Sequence, residues 1–266
     1  MRFRIYIFLV ILLIASSCGE YEKLLKSVDF ELKKSKAIEY YEAEKYIKAS
    51  ELLEMIIPRY RATDEAELLI WISSNCYYEL RDYMTASAAF RNFAESYPYS
   101  SRCEEATFKA AYCDYLQAPR PELDQAVTQA AIEGFTYFQR RFPASDKIEE
   151  SVELIKELQD KLVEKSYKSA KLYYDLKQYR AAIVALSNSL KEYPDTKFRE
   201  ELIFLKLESS YLYAYNSVPG RQTERYQETL DEYFSFVEEF PESKFSKDSE
   251  KIYTNTSDFL NIEISN

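Results

Sequence analysis

The sequence predicts an all-α protein: a solenoid of about five helix pairs, closed by a C-terminal capping helix. Only three glycines occur among its 266 residues, which leaves little material for β-hairpins or phosphate-binding loops. A helical stripe of apolar residues that ends at a proline recurs along the chain. With 47% apolar and 16% aromatic residues, the chain can bury a large core between such helices.

The stripe is clearest where large and small apolar residues follow one another at steps of three or four and stop at a proline. Its members are Tyr83, Ala86, Phe90, Phe93, Tyr97 and Pro98. The same spacing starts again from Tyr46, Thr128, Tyr179 and Tyr226. A hydroxyl side chain stands two positions beyond each proline position, at Thr63, Ser100, Ser145, Thr196 and Ser243. A proline that ends one helix, followed by a residue that accepts from backbone amides, predicts a turn between two helices.

A second pattern precedes the stripe in three copies. A small residue lies nine positions before the first stripe residue and a tyrosine lies six before it, as in Ser74 and Tyr77. The small residue allows two helices to approach and the ring fills the space beside it. Together, these positions are similar to the frame of the tetratricopeptide repeat (TPR), with repeats longer than the usual 34 or so residues.

The predicted helices follow in order along the chain. Their residue ranges are 32–44 paired with 46–60, 64–80 with 83–97, 101–117 with 122–142, 146–176 with 179–193, and 197–216 with 222–240, followed by the capping helix 244–260. Residues 118–121 and 217–221 contain Pro or Gly and are predicted surface turns. The first helix of the fourth pair has no Gly or Pro, so we expect it to be unusually long or broken in two.

The N-terminus has the pattern of an export signal. Arg2 and Arg4 precede about ten apolar residues, and Ala15, Ser16 and Ser17 lead into Cys18. A ten-residue helix spans roughly 15 Å, too little to cross a hydrocarbon core of about 30 Å. The arrangement resembles a bacterial lipoprotein signal, in which residues 1–17 are removed and Cys18 becomes the lipidated first residue.

Lipidation predicts where the protein resides. An anchor with two or three acyl chains holds a folded domain stably on a membrane. No aspartate follows Cys18, and by resemblance to lipoprotein sorting rules this favours the outer membrane. We expect residues 18–31 to form a lipidated tether and residues 32–266 to form a single TPR-like superhelical domain. The tether offers four apolar side chains for docking on the first repeat: Leu24, Leu25, Val28 and Phe30.

Composition also excludes several functions. The chain has no histidine, which rules out a Ser-His-Asp triad and His-ligated zinc. Its net charge of −10 argues against nucleic acid as a partner. Acidic pairs such as Glu104 and Glu105 stand at the starts of predicted helices, where the helix dipole favours them. We therefore predict no catalytic residue, metal site or cofactor, and we interpret Cys76, Cys103 and Cys113 as small apolar core residues.

A candidate peptide-binding groove comes from the TPR resemblance. Doubled tyrosines put one ring on the packing stripe and the next about 100° around the first helix, a position that lines the concave face of TPR stacks. The groove residues predicted in this way are Ile38, Tyr41, Trp71, Asn75, Tyr78 and Tyr174, with Lys171 on the same face. An aromatic trough with few charges suits extended, aromatic-ended peptides. Alternatively, the tyrosines only cover the core or pack on the tether.

The signal, the tether and the repeated Tyr/Phe-Pro-x-Ser/Thr turns resemble the BamD family of outer-membrane assembly lipoproteins. The resemblance implies a noncatalytic scaffold at the periplasmic face of the outer membrane. It further implies binding to the POTRA region of a BamA-like β-barrel insertase through the C-terminal pairs, and recruitment of unfolded outer-membrane protein precursors, which we assign to the N-terminal half. The alternative is a periplasmic TPR lipoprotein adaptor for cell-envelope or division proteins, similar to CpoB.

Overall fold

The computed structural model describes residues 19–262, and every regular element in that range is a helix. The predicted all-α class and the order of helix pairs are confirmed. The helices are α1 (residues 19–26), α2 (Phe30–Glu42), α3 (Tyr46–Tyr60), α4 (Ala66–Glu79), α5 (Tyr83–Ser96), α6 (Cys103–Gln117), α7 (Ala126–Arg141), α8 (Ile148–Asp175), α9 (Tyr179–Glu192), α10 (Arg199–Tyr215), α11 (Pro219–Glu239) and α12 (Ser246–Leu260).

Backbone contacts divide the chain into two compact units. Unit 1 comprises the described residues up to Pro119 together with Gln125–Leu158, and unit 2 comprises Arg120–Asp124 and the residues from Gln159 onward. In unit 1, the helices α2, α3, α4, α5, α6 and α7 pack successively, each on its neighbour in this series. In unit 2, α9, α10, α11 and α12 pack in the same successive way. Sequential antiparallel packing of this kind defines a helix-pair repeat protein.

The core of each unit consists of the predicted stripe residues. Phe90, Phe135 and Leu186 are completely buried, as the register predicts. Tyr83 is only half-buried, because it begins α5 at the edge of the pair, where one side of its ring faces solvent. The small residues of the second pattern are buried as well: Ala37, Ser74 and Ala170.

The predicted proline turns are confirmed. α5, α7, α9 and α11 each end two residues before a proline, and the intervening residues are Tyr97, Phe142, Tyr193 and Phe240. These four residues have φ values between −125° and −129°, outside the helical region. The proline ring disfavours the helical conformation of the residue before it, so the helix stops there.

The hydroxyls after the prolines act in the turn rather than on the first helical amide. Ser100 Oγ accepts from the amide of Arg102 at 3.0 Å, and Thr196 Oγ1 accepts from that of Phe198 at 3.2 Å. In each case the accepting hydroxyl precedes the first helical residue by three positions. The predicted cap is therefore displaced, and the hydroxyl fixes the turn that leads into the helix.

The turn inside three of the pairs contains a residue with left-handed backbone. Glu44, Arg81 and Lys177 have φ values of 56°, 61° and 58°. At Arg81 the amide donates to Tyr78 O at 2.9 Å, and the next amide, that of Asp82, donates to Tyr77 O at 3.0 Å. This pattern is the Schellman motif that ends helices. The doubled tyrosines thus occupy the last helical turn, and their carbonyls accept both closing bonds.

Two helix starts differ from the prediction by three residues or more. α7 begins at Ala126, not at residue 122, and residues 122–125 are not helical. α11 begins at Pro219 instead of residue 222, because proline is favoured at the first helical position, where it has no amide to satisfy. α8 is a single helix of 28 residues, so the expectation of an unusually long helix is confirmed and the alternative of a broken one is not.

The segment before α2 includes a helix that packs on the first repeat. Leu24 is buried, and the Tyr21 hydroxyl donates to Glu51 Oε2 at 2.7 Å. Lys33 Nζ donates to Leu25 O at 2.9 Å, which satisfies a carbonyl near the end of α1. Val28 is 89% exposed, so the expectation that it docks is wrong. It lies in the non-helical link between α1 and α2, which turns its side chain to solvent.

Candidate peptide-binding site

Five of the six predicted groove residues lie in unit 1, and Tyr174 lies in unit 2. All are half-buried except Asn75, which is only 4% exposed. Ile38 and Tyr41 extend from α2 and pack against the first core cluster, which includes Leu53 and Ile56. Trp71 packs against both this cluster and the next. The predicted residues of α2 and α4 therefore lie along the edge of a continuous core.

Three of the predicted residues converge on a lysine from the following repeat. Lys109 Nζ of α6 lies 5.2 Å from the centre of the Trp71 ring and 5.5 Å from that of Tyr78. The same ammonium donates to Asn75 Oδ1 at 2.7 Å and is paired with Glu105 at 2.9 Å. Contact with aromatic faces stabilises a cation, so this cluster holds its lysine firmly. We call these five residues the Lys109 cluster.

Lys109 has a partly buried side chain, with a relative exposure of 23%. Its opposite charge at Glu105 lies one helical turn earlier on α6, a spacing that pairs side chains on one helix face. A peptide that approaches Trp71 and Tyr78 therefore meets one cation and one anion beside two rings. This part of the surface is aromatic and carries a single charged pair, and the sequence predicts an aromatic trough with few charges.

The second tyrosine of each doublet packs on the first residue of the next helix. The ring centres of Tyr41 and Tyr46 are 5.9 Å apart, and those of Tyr78 and Tyr83 are also 5.9 Å apart, both with edge-to-face geometry. Edge-to-face contacts at this distance are favourable. One side of each tyrosine ring thus covers the core of its own pair. For that side of the ring, this agrees with the alternative that the tyrosines only cover the core.

The first tyrosine of the α2 doublet packs on the segment before α2. The ring centres of Tyr40 and Tyr21 are 5.7 Å apart, and Lys48 Nζ lies 4.8 Å from the Tyr21 ring. In the α4 doublet, the Tyr77 hydroxyl donates to Glu54 at 2.8 Å instead. The first tyrosines of the α2 and α4 doublets are therefore occupied within the protein, and in these two doublets only the second tyrosines remain candidates for a groove.

Tyr174 takes part in a hydrogen bond within unit 2. Its hydroxyl donates to Glu208 Oε2 of α10 at 2.7 Å, and Tyr167 donates in the same way to Glu201 at 2.7 Å. Burial, together with the neighbouring carboxylate, raises the pKa of Tyr174 above its usual value. The two bonds, one helical heptad apart, join α8 to α10. The Tyr174 hydroxyl consequently helps to hold α8 and α10 together. The residue as a whole is half-buried.

Burial also raises the pKa of the Tyr41 and Tyr78 phenols. Both hydroxyls are therefore protonated at neutral pH and can donate or accept a hydrogen bond. Within residues 19–262, neither hydroxyl has a hydrogen-bond partner. Together with the exposed part of each ring, they offer an aromatic edge and a polar tip, the combination that proteins favour at binding surfaces.

Sequence reasoning identified the aromatic part of the Lys109 cluster but not the lysine at its centre. Lys109 stands at the i+4 position from Glu105 in the sequence, which signals an ion pair on α6. Nothing in that spacing shows which rings the ammonium contacts, because the contact joins α6 to α4 across two repeats. The other lysine predicted on the groove face, Lys171, is paired with Asp175 at 2.7 Å.

Cys76, Cys103 and Cys113 are buried free thiols, in agreement with their interpretation as core residues. Within residues 19–262, no group of three or more His, Cys, Asp or Glu side chains is placed to hold a metal ion. In the same range, no helix has both the length and the apolar character needed to cross a bilayer. Cys18 lies outside the described residues.

The sequential helix pairs and their proline turns define a TPR-like repeat protein. The chain matches the YfiO family, described as outer membrane lipoprotein, over residues 32–218. It belongs to this family, which is the BamD family that the sequence resembles.

The comparison with curated proteins finds no match. Among solved structures, the chain is similar to a Podosopora anserina protein described as a kinesin light chain with nearly identical TPR-like repeats. The identity is 13% and the TM-score is 0.33, over 80% of this chain and 96% of the other.

Proposed function

We propose that this protein is a noncatalytic scaffold subunit of the outer-membrane β-barrel assembly machinery. The observation that carries the proposal is the family match over residues 32–218, a family described as outer membrane lipoprotein. In this proposal, Cys18 carries the lipid and the helical domain lies at the periplasmic face of the outer membrane. Its partners are a BamA-like insertase, bound through the POTRA region, and unfolded outer-membrane protein precursors.

The lipid anchor is tested at the cysteine itself. Cells expressing the wild-type protein or Cys18→Ala are supplied with labelled palmitate. We expect label in the wild type and none in the variant, since no other cysteine of the chain lies in the signal region. Cys76→Ala is the matched control and should be labelled like the wild type. Wild-type labelling of Cys18→Ala would contradict the anchor.

The insertase is tested by crosslinking and purification from solubilised membranes. An insertase is an integral β-barrel, whereas a division or envelope adaptor captures partners outside the barrel class. Recovery of a heat-modifiable barrel protein supports the assembly function. Recovery of only peptidoglycan-linked or division proteins, with no barrel, would favour the alternative adaptor function.

We propose that precursors bind beside the Lys109 cluster, at the exposed parts of Tyr41, Trp71 and Tyr78. Two observations support this location: the rings are half-buried along one core edge, and the cluster presents a cation beside them. An extended peptide with an aromatic end can place its ring against these faces and its terminal carboxylate near Lys109. Of the other groove residues predicted from the sequence, Ile38 lies in unit 1 with these rings and Tyr174 lies in unit 2.

The chain provides its own reporter for this binding. Trp71 is its only tryptophan, so its fluorescence reports on the proposed site alone. A synthetic peptide with the last residues of a β-barrel precursor should shift the Trp71 emission in a saturable way. The same peptide with an amidated C-terminus should bind more weakly, because it lacks the carboxylate. An unchanged emission at saturating peptide would argue against this site.

A further inference from the structure

The start of α1 is held at one edge of the first helix pair. The Tyr21 hydroxyl donates to Lys48 O at 3.2 Å, and the Tyr21 ring centre lies 5.7 Å from that of Tyr40. Tyr40 is in the last turn of α2 and Lys48 is in the first turn of α3. The end of α1 lies farther along the pair, since Leu25 O accepts from Lys33 Nζ, in the first turn of α2, at 2.9 Å. α1 therefore begins beside the turn that joins α2 to α3.

This edge contains the turns within all the helix pairs of unit 1. Helices α2 to α7 pack successively, so the turns after α2, α4 and α6 lie on one edge of the unit and the turns between pairs lie on the other. We call the first of these the pair-turn edge; its residues are 42–47, 79–84, 116–117 and 126–127. Cys18 directly precedes α1 in the sequence, and consecutive Cα atoms are about 3.8 Å apart. A lipid on Cys18 is therefore attached at the pair-turn edge.

Exposed apolar side chains follow the pair-turn edge from one pair to the next. Ile47 and Met84, the second residues of α3 and α5, are 69% and 73% exposed. Leu80 at the end of α4, Leu116 near the end of α6 and Val127 near the start of α7 are also exposed. Apolar side chains that remain exposed in successive repeats are typical of surfaces that contact a protein or a membrane.

The repeat does not require an apolar residue at the positions of Ile47 and Met84. Tyr179 begins α9 in the same way as Tyr46 and Tyr83 begin α3 and α5. The residue after Tyr179 is an arginine, so this position accepts a charged side chain. Most of the Ile47 and Met84 surface faces solvent, and packing within the chain does not explain why these residues are apolar.

The charges at the pair-turn edge do not attract an anionic surface. The turns at 42–45 and 79–82 contain four acidic and two basic side chains, a net charge of −2: Glu42, Glu44, Lys45, Glu79, Arg81 and Asp82. An anionic bilayer attracts basic segments, which this edge is not. Its contact with a membrane therefore depends on the apolar side chains and on an anchor that keeps the edge close to the lipid.

We propose that the pair-turn edge of unit 1 lies on the membrane that holds the lipid anchor, with Ile47 and Met84 inserted among the phospholipid headgroups. The inference rests on the proposed anchor at Cys18 and adds to it an orientation of the repeats. Because α1 begins directly after Cys18 and is fixed to the first pair, the anchor does not act as a long flexible tether. The lipid supplies the attachment, and the exposed apolar side chains determine which edge faces the bilayer.

The test uses a tryptophan as a reporter of lipid contact. The full chain with Trp71→Phe and Met84→Trp is expressed with its own signal, purified in detergent and reconstituted into phosphatidylcholine vesicles with or without brominated acyl chains, which quench nearby tryptophan. We expect at least about a twofold loss of emission in brominated vesicles, because interfacial side chains reach roughly 5–10 Å into the headgroup and acyl boundary.

The control reporter is Tyr99→Trp in the same Trp71→Phe background. Tyr99 is fully exposed and follows the end of α5, whereas Met84 lies at its start. The two positions are separated by about 20 Å along a helix of this length, so Tyr99 lies at the opposite edge of the unit. We expect no quenching of Tyr99→Trp by the brominated lipid.

A further pair of variants tests whether the apolar side chains make the contact. Ile47→Asp, added to the Met84→Trp reporter, should reduce the quenching toward that of Tyr99→Trp, because a carboxylate resists insertion. Val152→Asp is the matched control, since Val152 is 53% exposed and lies near the start of α8, after the turn that leaves the opposite edge. It should leave the quenching unchanged. Circular dichroism and urea unfolding verify that each variant is folded.

Flotation of the vesicles separates this inference from the proposed anchor. A chain that does not float with the vesicles would disprove the anchor, and the inference with it. A chain that floats while Met84→Trp is quenched no more than Tyr99→Trp would overturn the inference alone, and would indicate that the exposed apolar residues face a protein. Equal effects of Ile47→Asp and Val152→Asp would overturn it as well.

Discussion

Lys109 Nζ of α6 donates to Asn75 Oδ1 of α4 at a distance of 2.7 Å. The bond ties the first helices of two successive pairs together at the point where Trp71 and Tyr78 emerge from the core. A buried amide and a partly buried ammonium satisfy each other here, which avoids the cost of an unpaired polar group. The bond also fixes the cation beside the aromatic faces that we propose bind precursor peptides.

The close approach of α7 to α6 depends on Gly134. A Cβ atom built at Gly134 would lie 2.9 Å from Ala111 Cβ, closer than the two methyl groups can pack. We expect Gly134→Ala to lower the free energy of unfolding by about 1–3 kcal/mol, despite the higher helix propensity of alanine. Gly220→Ala is the control, because nothing lies within 4 Å of its Cβ, and it should leave stability unchanged or slightly higher. Equal effects of the two in urea unfolding would contradict this packing.

The left-handed turn residues carry a conformational cost. Arg81 has φ of 61°, a conformation that costs an L-residue roughly 1–2 kcal/mol. Arg81→Gly removes this cost and adds some unfolded-state entropy, so we expect a net stabilisation of about 0.5–1 kcal/mol. Arg61, at the end of α3, has φ of −51°, and Arg61→Gly should destabilise. Thermal and urea unfolding of both variants test the prediction, and a destabilised Arg81→Gly would disprove it.

These turns show where sequence reasoning succeeds and where it stops. Pro98 and Pro143 end their helices as predicted, because a proline restricts its neighbour locally. The left-handed residues were not predicted, since glycine usually marks that conformation and Glu44, Arg81 and Lys177 are not glycine. Only the backbone φ values show which residues adopt the left-handed conformation.

Sequence reasoning reaches the same limit at the candidate site. Trp71 and Tyr78 could be placed on one face of α4 from helical spacing alone. Contacts between different helices depend on how far each helix is rotated about its axis. Residue spacing does not define that rotation precisely enough to show which side chains meet. For this reason the sequence missed the position of Lys109 over both rings and the bond from Tyr174 to Glu208.

The register of the repeats is tested by a buried ring. Phe135 has no exposed surface and packs against Phe108 with ring centres 5.5 Å apart. Phe135→Ala should lower the free energy of unfolding by about 3–5 kcal/mol. The same truncation at Phe234, which is 52% exposed, should cost less than about half as much. A loss below about 1 kcal/mol at Phe135 would show that the register is wrong.

Stability should fall in alkaline solution. Burial raises the pKa of the Cys76 and Cys113 thiols to about 12, and a hydrogen bond to Glu157 together with burial raises that of Tyr115 to about 12. In the unfolded chain a thiol titrates near about 8.5 and a phenol near about 10. Above these values the unfolded state releases protons that the folded state keeps, so the free energy of unfolding decreases as pH rises toward about 12.

Urea unfolding at a series of pH values from neutral to about 11 measures this decrease. Cys113→Ala removes one of the shifted groups and should flatten the pH dependence, whatever its effect on stability at neutral pH. Thiol reagents should likewise modify Cys76 and Cys113 only under unfolding conditions, because both are completely buried. Stability that does not change with pH up to about 11 would contradict the assigned burial.

The most direct test of the central claim is photocrosslinking in cells that synthesise β-barrel precursors. A photoreactive residue replaces Tyr41 or Tyr78 in the proposed groove, or Asn92 at an exposed position on α5 as control. If the protein is a scaffold that receives precursors beside the Lys109 cluster, the groove probes capture unfolded precursor and the Asn92 probe does not. Equal capture at all three positions, or none at Tyr41 and Tyr78, would contradict the account.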